Sequence, residues 1–195
     1  MIQSLEDIKL GLSICGSFFA FQRIIQMIEI LIELKVDIYP IMSYSAYDIL
    51  KRLGKEEKFI EQIEELTGKE IISDISEVER VCPDIHIDAM LIAPCTGNTL
   101  SKLVRKINDT PVTIAINTAL NNYKPVIIAV STNENLGVNL SNIGELIKNQ
   151  SIYFVPFFKN NPDNKSYSLI SDISLVPQTI ISALNQKQLQ PMVKN

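Results

Sequence analysis

The amino-acid sequence predicts an α/β fold, with a single doubly wound, mostly parallel sheet and helices on both of its faces. Short apolar runs, typical of strands buried on both sides, alternate along the chain with segments whose apolar residues recur every three or four positions. Most of these runs end in glycine or small polar residues, as parallel strands do where the chain turns into a helix. The 195 residues, 46% of them hydrophobic, suffice for one domain with a sizeable core.

The first part of the chain is predicted to form two strand–helix units. Apolar runs at residues 8–14 and 36–42 predict strands, and the turns after them are Cys15-Gly16-Ser17 and Ser43-Tyr44-Ser45. The other elements predicted here are, in order, a helix to about Leu34, a charged helix from Tyr47 or Glu56 to Leu66, and a short strand at residues 71–72.

Residues 89–102 carry the most specific pattern in the chain. Residues 89–93 are uniformly apolar and predict a central strand, which Pro94 is expected to end because proline cannot donate to a sheet ladder. The polar turn Thr96-Gly97-Asn98-Thr99 leads into a segment with helical spacing. Backbone N–H groups and hydroxyls at such a helix start suit an anion, and a simple capping role for Thr96 or Asn98 is the structural alternative.

The second half continues the alternation. Thr110 is expected to cap a helix that begins at Pro111. The elements predicted after it are a strand at 125–130 that ends in Ser131-Thr132-Asn133, a helix near 140–148, a strand at 152–157, a mobile polar loop at 160–168 and a helix at 176–186. Residues 1–187 are expected to form the domain, and residues 188–195 a loose tail.

Composition argues against several classes of function. The formal net charge is −4 and the basic residues are scattered, and neither feature suits a nucleic-acid partner. Three cysteines without C-x-x-C spacing and one histidine argue against a metal site. The sequence has no signal peptide and no apolar stretch of the roughly 18 residues that cross a membrane. A soluble, reduced, cytoplasmic protein is therefore expected.

The polar residues after the predicted strands should meet at one edge of the sheet, because the carboxyl ends of parallel strands share an edge. They offer neutral donors and helix N-termini, so a nucleotide-type cofactor and a small dicarboxylate both fit. Residues 11–17 lack the G-x-G-x-x-G spacing, so this chain is not expected to bind NAD(P) alone in the Rossmann mode. The candidate binding residues are Gly16, Ser17, Ser43, Pro94, Thr96, Gly97, Asn98, Thr99, Ser131, Thr132 and Asn133.

The segment from Ala93 to Thr99, with Lys102 and Asp109 after it, resembles the flavoprotein family that includes the FMN-dependent cysteine decarboxylases. Members of that family carry a similar Ala-Pro-x-(Ser/Thr)-x-Asn-Thr-x-x-Lys segment and a Gly-Ser pair in the first turn. The resemblance implies a Rossmann-like three-layer fold, homo-oligomers and FMN as a candidate cofactor. It does not extend to decarboxylation, because Arg80 stands where the family has its active-site histidine and only Asn133 remains of a Pro-Ala-Met-Asn motif.

Further segments resemble one branch of this family, whose members are subunits of a two-chain oxidoreductase of sporulating bacteria. They include Ser43-Tyr44-Ser45, residues 63–68, Lys124-Pro125-Val126 and residues 152–157. This likeness implies that a partner subunit brings the NADP-binding domain and that the enzyme oxidises a partly reduced pyridine dicarboxylate in the mother-cell cytoplasm. A chain that binds FMN, or that only stabilises an assembly, is the alternative.

Individual side chains each allow a functional and a structural interpretation. The catalytic candidates are Lys102, for contact with a carboxylate or phosphate, and Asp109, as a general base; the structural alternatives are a solvated helix face and a helix cap. Cys15 and Cys95 are expected to be small apolar fillers rather than reactive thiols. His86 is expected to be a surface or loop histidine rather than a catalytic one.

Overall fold

Strands and helices alternate along most of the computed structural model, which describes residues 2–16, 21–54, 56–81, 86–132, 136–160 and 168–194. In chain order the elements are β1 (Lys9–Ile14), α1 (Phe21–Glu33), β2 (Asp37–Met42), α2 (Tyr44–Arg52), α3 (Glu56–Thr67), α4 (Ile75–Val81), β3 (Ala89–Cys95), α5 (Gly97–Val104), α6 (Pro111–Asn121), β4 (Val126–Thr132), α7 (Leu136–Leu146), β5 (Ile152–Phe154), β6 (Phe157–Asn160), β7 (Ser168–Ser171), α8 (Val176–Leu184) and β8 (Val193–Lys194). None of the helices within these ranges is long and apolar enough to cross a membrane.

Five strands form a parallel sheet in the order β2-β1-β3-β4-β5. Beyond the section where β5 pairs with β4, the carboxyl end of β4 pairs with β7 in antiparallel fashion. Strand β6 is antiparallel to β7, and β8 runs parallel to β6 at the edge. The mostly parallel sheet with helices on both faces confirms the predicted fold class.

Side chains alternate between the two faces of the central strand, and each face carries its own core. Leu91 and Ala93 lie in a cluster with residues of α1, α3 and α8, whereas Met90 and Ile92 lie in a cluster with residues of α5, α6 and α7. Since β3 is buried on both faces, its continuous apolar run follows from this position.

The helix after β2 begins earlier than the sequence predicts. The Ser43 hydroxyl accepts a hydrogen bond from the backbone N–H of Ala46 at 3.2 Å, so Ser43 caps α2 and helix starts at Tyr44. The charged segment then forms two helices, because Gly54 adopts a left-handed φ of 59° between them. Residue Ile72 makes one isolated bridge to Ile41 instead of a strand, and α4 was not predicted.

Pro94 does not end the central strand. Strand β3 continues to Cys95, and the Ala93–Pro94 peptide bond within it is cis. Ile92 pairs with Ile128 and Cys95 pairs with Val130, so β3 carries one more residue than β4 over this stretch. The proline, which has no N–H to donate, therefore lies in a bulge where the ladder is interrupted.

The segments after β4 differ most from the prediction. The strand predicted at 152–157 is divided into β5 and β6, with Val155 and Pro156 between them. Most of the predicted loop at 160–168, namely residues 161–167, lies outside the described residues. The expected loose tail is held in place as far as Lys194: the Gln188 amide bonds the backbone N–H and C=O of Phe154 at 2.8 and 2.7 Å, and β8 pairs with β6.

Candidate functional site

The ends of β1 and β2 approach each other closely at the carboxyl edge of the sheet. The backbone N–H of Ser43 donates to the carbonyl of Ile14 at 3.0 Å. A Cβ on Gly16 would lie 2.9 Å from the carbonyl carbon and oxygen of Ser45, closer than real Cβ contacts. Only glycine fits at position 16 without a shift of this backbone, which brings the first turn against the start of α2.

The start of α5 lies beside the same turn. The Thr99 hydroxyl donates to the Cys15 sulfur at 3.2 Å, and the Thr96 hydroxyl accepts from the N–H of Thr99 at 3.4 Å. The first intrahelical bond runs from Leu100 N–H to the Thr96 carbonyl, so the N–H groups of Gly97 and Asn98 precede it. With Asn98 exposed, this helix start can present two backbone donors and an amide to an anion.

Helix α7 supports the start of α5 through two asparagines that the sequence patterns did not single out. The Asn142 amide donates to the Ser101 hydroxyl at 2.9 Å. The Asn139 amide oxygen lies 2.8 Å from the position of a Cβ on Gly97. Both asparagines are buried, although a helix face that packs on a core is usually apolar. The signal in the sequence that could have identified them is asparagine at helix positions that face the core.

The fourth predicted turn, at Ser131 and Thr132, is part of the sheet. Ser131 lies opposite Ile170 in the β4–β7 ladder, and the Thr132 hydroxyl accepts from the N–H of Leu169 at 3.2 Å. Thr132 is buried, so its hydroxyl serves the strand pairing rather than an open turn. Two further candidates, Ser17 and Asn133, lie outside the described residues.

Lys102 and Asp109 face each other across the end of α5. The Lys102 ammonium donates to both carboxylate oxygens of Asp109, at 2.8 and 3.0 Å. Asp109 does not cap α6, since Thr110 and Thr113 form a capping box there and Pro111 begins the helix, as predicted. The arrangement brings the two catalytic candidates together, and a catalytic role for either stays a prediction.

Both thiols near the site are buried. Burial raises the pKa of Cys15 to about 11, although hydrogen bonds with Thr99 and Thr96 and the charge of Lys102 act in the opposite direction. Burial also raises the pKa of Cys95 well above its ordinary value. These two residues are therefore thiols at neutral pH, as expected of apolar fillers. Across the described ranges, no group of three or more His, Cys, Asp or Glu side chains could hold a metal ion.

One cationic residue near this edge was not singled out from the sequence. Arg23 on α1 lines a cavity of about 170 Å³ between the carboxyl ends of β3 and β4, together with Pro94 and Ser131. In contrast, exposed His86 precedes the amino end of β3, at the opposite edge of the sheet. The sequence around Arg23 contains no motif that would distinguish this arginine from other surface residues of a helix.

The geometry describes a three-layer α/β protein with polar helix starts at the carboxyl edge of its sheet, and the chain belongs to the Flavoprotein family, whose model matches residues 2–183. Within this family it is similar to the B-type subunit of dipicolinate synthase from Bacillus subtilis (strain 168), with 34% identity over 98% of this chain and 96% of that protein. This is the branch of the family that the sequence resembles, and the resemblance is confirmed.

Solved structures agree with this relationship. The crystal structure of the B-type subunit of dipicolinate synthase from Bacillus halodurans matches with a TM-score of 0.88 and 31% identity, over 99% of both chains. The FMN-dependent cysteine decarboxylase SpaF matches with a TM-score of 0.71 and 22% identity, over 94% of this chain and 98% of the other. The likeness to SpaF concerns the fold alone.

Proposed function

We propose that the chain acts as the B-type subunit of a dipicolinate synthase, together with an NADP-binding A-type subunit, and oxidises dihydrodipicolinate to dipicolinate during sporulation. The observation that carries this proposal is the 34% identity to the B-type subunit of a dipicolinate synthase over nearly the whole of both chains. By the same likeness the chain would be a homo-oligomer that works in the cytoplasm of the mother cell.

The proposed reaction needs orientation more than covalent chemistry. The dihydropyridine ring loses a hydride to the nicotinamide of NADP⁺ on the partner and a proton to a base, and the products are aromatic dipicolinate and NADPH. The role of this chain is then to position the substrate dianion so that its ring faces the nicotinamide. Neutral donors at Asn98 and at the N–H groups of α5, the helix that Thr96 caps, suit one carboxylate of that substrate.

Lys102 and Asp109 are the candidates for the charged roles in this step. Asp109 is more than half exposed and could receive the proton, while Lys102 could contact a carboxylate. Because each is the other's ion-pair partner, binding of a substrate carboxylate by Lys102 would have to compete with Asp109.

An FMN-binding function is the second candidate, and the Flavoprotein family model and the FMN-dependent decarboxylase with the same fold favour it. The uncapped N–H groups of Gly97 and Asn98 fit a phosphate group, which would be held by these N–H groups at the start of α5. When bound, FMN would supply a hydride acceptor. A chain that only stabilises the assembly is the remaining alternative.

Reconstitution of the two chains separates these functions. We expect NADPH to form only when both subunits are present, and Asn98→Ala and Thr96→Val to abolish its formation while the complex still assembles. Asn122→Ala, at an exposed asparagine on the opposite edge, is the matched control and should keep full activity. Full activity of both site variants would contradict a catalytic role for this edge, and a yellow purified chain would support the FMN function.

A further inference from the structure

A small cavity opens behind Pro94 at the candidate site, where the carboxyl ends of β3 and β4 meet α1 and β7. Along the same face of each strand, a large side chain is followed two residues later by alanine: Leu91 by Ala93 in β3, and Ile127 by Ala129 in β4. The two short side chains leave a volume of about 170 Å³ at the edge where ligands of parallel sheets bind.

The size of this cavity selects a class of ligand. An apolar protein cavity of roughly 150 Å³ holds one benzene molecule. Sites for larger organic ligands begin at roughly 300 Å³. The cavity behind Pro94 therefore has room for a single six-membered ring and not for the three fused rings of a flavin.

Most of the lining is apolar, and its one charged side chain among the described residues is Arg23. The Ser171 hydroxyl in the wall is already engaged, because it accepts from the N–H of Val130 at 2.8 Å and donates to the carbonyl of Val155 at 3.3 Å. The next residue, Asp172, pairs with Lys194 at 2.8 Å. None of the ion pairs found in the described ranges involves Arg23.

We propose that Arg23 binds a carboxylate of a single-ring carboxylic acid whose ring enters the cavity behind Pro94. This inference rests on the proposed function and specifies the part of the site that selects the substrate. Arginine suits the task because its planar fork can donate two parallel hydrogen bonds to one carboxylate. The apolar walls would exclude water from the ring and favour an aromatic acid over a small aliphatic one.

The test is the affinity of the purified chain for dipicolinate and for inorganic phosphate, measured by calorimetry on Arg23 variants. Arg23→Gln should weaken dipicolinate binding about tenfold or more, and Arg23→Lys should weaken it less, because one charge-assisted contact survives. Phosphate affinity should stay unchanged, since inorganic phosphate would bind the N–H groups at the start of α5 and not Arg23. Arg52→Gln, at an exposed arginine at the end of α2, is the matched control.

A second variant tests the cavity itself. Ala129→Val adds two methyl groups to its wall and should reduce dipicolinate affinity while phosphate binding and the circular dichroism spectrum stay as in the wild type. Normal dipicolinate affinity in both Arg23→Gln and Ala129→Val would overturn the inference. If Asn98→Ala nevertheless lost its affinity for dipicolinate, the proposed function would stand, and only the role of Arg23 and the cavity would be wrong. If the wild-type chain bound no dipicolinate, both the proposed function and this inference would be overturned. If Arg23→Gln lost affinity for phosphate, Arg23 would belong to the phosphate site and the inference would be wrong.

Discussion

The amide oxygen of Asn139 lies 2.8 Å from the point that a Cβ on Gly97 would occupy. This contact joins α7 to the first residue of α5, one turn before the hydrogen bond between Asn142 and Ser101. The residue that starts the candidate anion site is therefore packed against a buried polar side chain from a distant part of the sequence. The position of the α5 donors depends on α7 as much as on their own segment.

This relationship predicts that a substitution at Gly97 can be rescued from Asn139. Gly97→Ala should destabilise the protein by about 1–3 kcal/mol, because the added methyl group overlaps the Asn139 amide, and it should weaken phosphate binding. Asn139→Ser removes the overlapping amide, so the double variant should recover part of both losses. A coupling of about 0.5–3 kcal/mol in a urea-unfolding double-mutant cycle is expected, and strictly additive effects would contradict the contact.

Gly16 and Gly144 form a matched pair for testing the first turn. Gly16→Ala should destabilise the protein by about 1–3 kcal/mol, since its Cβ meets the Ser45 backbone, which cannot move aside as a flexible side chain would. The same change at Gly144, in α7 with open space around it, should instead stabilise by about 0.5–1 kcal/mol because alanine favours helix. Thermal unfolding of the two variants tests these predictions. An unchanged melting temperature for Gly16→Ala would contradict the close approach of Gly16 to the Ser45 backbone.

The buried thiols should resist alkylation. With the pKa of Cys15 at about 11, only about one molecule in a thousand carries the thiolate at pH 8, and burial blocks access of the reagent as well. Peptide mapping after iodoacetamide treatment should find Cys15 and Cys95 unmodified in the native protein and modified in urea. Rapid labelling of Cys15 in the folded chain would show that the thiol is neither buried nor protonated.

The ion pair between Asp172 and Lys194 should make the attachment of β8 dependent on pH. Hydrogen bonds from Lys194 and Ser174 lower the pKa of Asp172, so its contribution to stability is present at neutral pH and is lost as the pH falls through its folded-state pKa. Asp172→Asn should cost less than about 1 kcal/mol at pH 7, because the pair is partly exposed.

The cost of Asp172→Asn should shrink once the pH falls below the ordinary aspartate pKa, and it should vanish where the wild-type carboxylate is protonated, below its lowered folded-state pKa. Urea unfolding of both proteins from neutral pH to acid tests this dependence. Because asparagine keeps the capping acceptor for Ser174, the comparison isolates the charge. A stability difference that stayed constant across this range would contradict the assignment.

Local signals in the sequence predicted the start of α5 and the capping of α6 by Thr110, because each depends on residues within a few positions of one another. Their hydroxyls bond backbone groups three residues on, a relationship that spacing alone reveals. The parallel sheet could also be predicted from local sequence, since strands that are buried on both faces must be apolar throughout.

Features that depend on distant segments could not be predicted in this way. Strand β3 continues past Pro94 because its pairing with β4 accommodates a bulge in β3 at that position. Thr132 lies in a strand because β7, from a later part of the chain, pairs with it. Arg23 and Asn139 reach the site from α1 and α7, and neither carries a local motif. Such residues become visible only when the packing of the whole sheet is known.

A crystal of the chain soaked with dipicolinate tests the central claim most directly. We predict a molecule bound at the carboxyl edge of the sheet, with its ring beside Pro94 and a carboxylate in contact with a donor of the Thr96–Thr99 turn or with Arg23. Density for dipicolinate at another surface, with this edge left empty, would contradict the account.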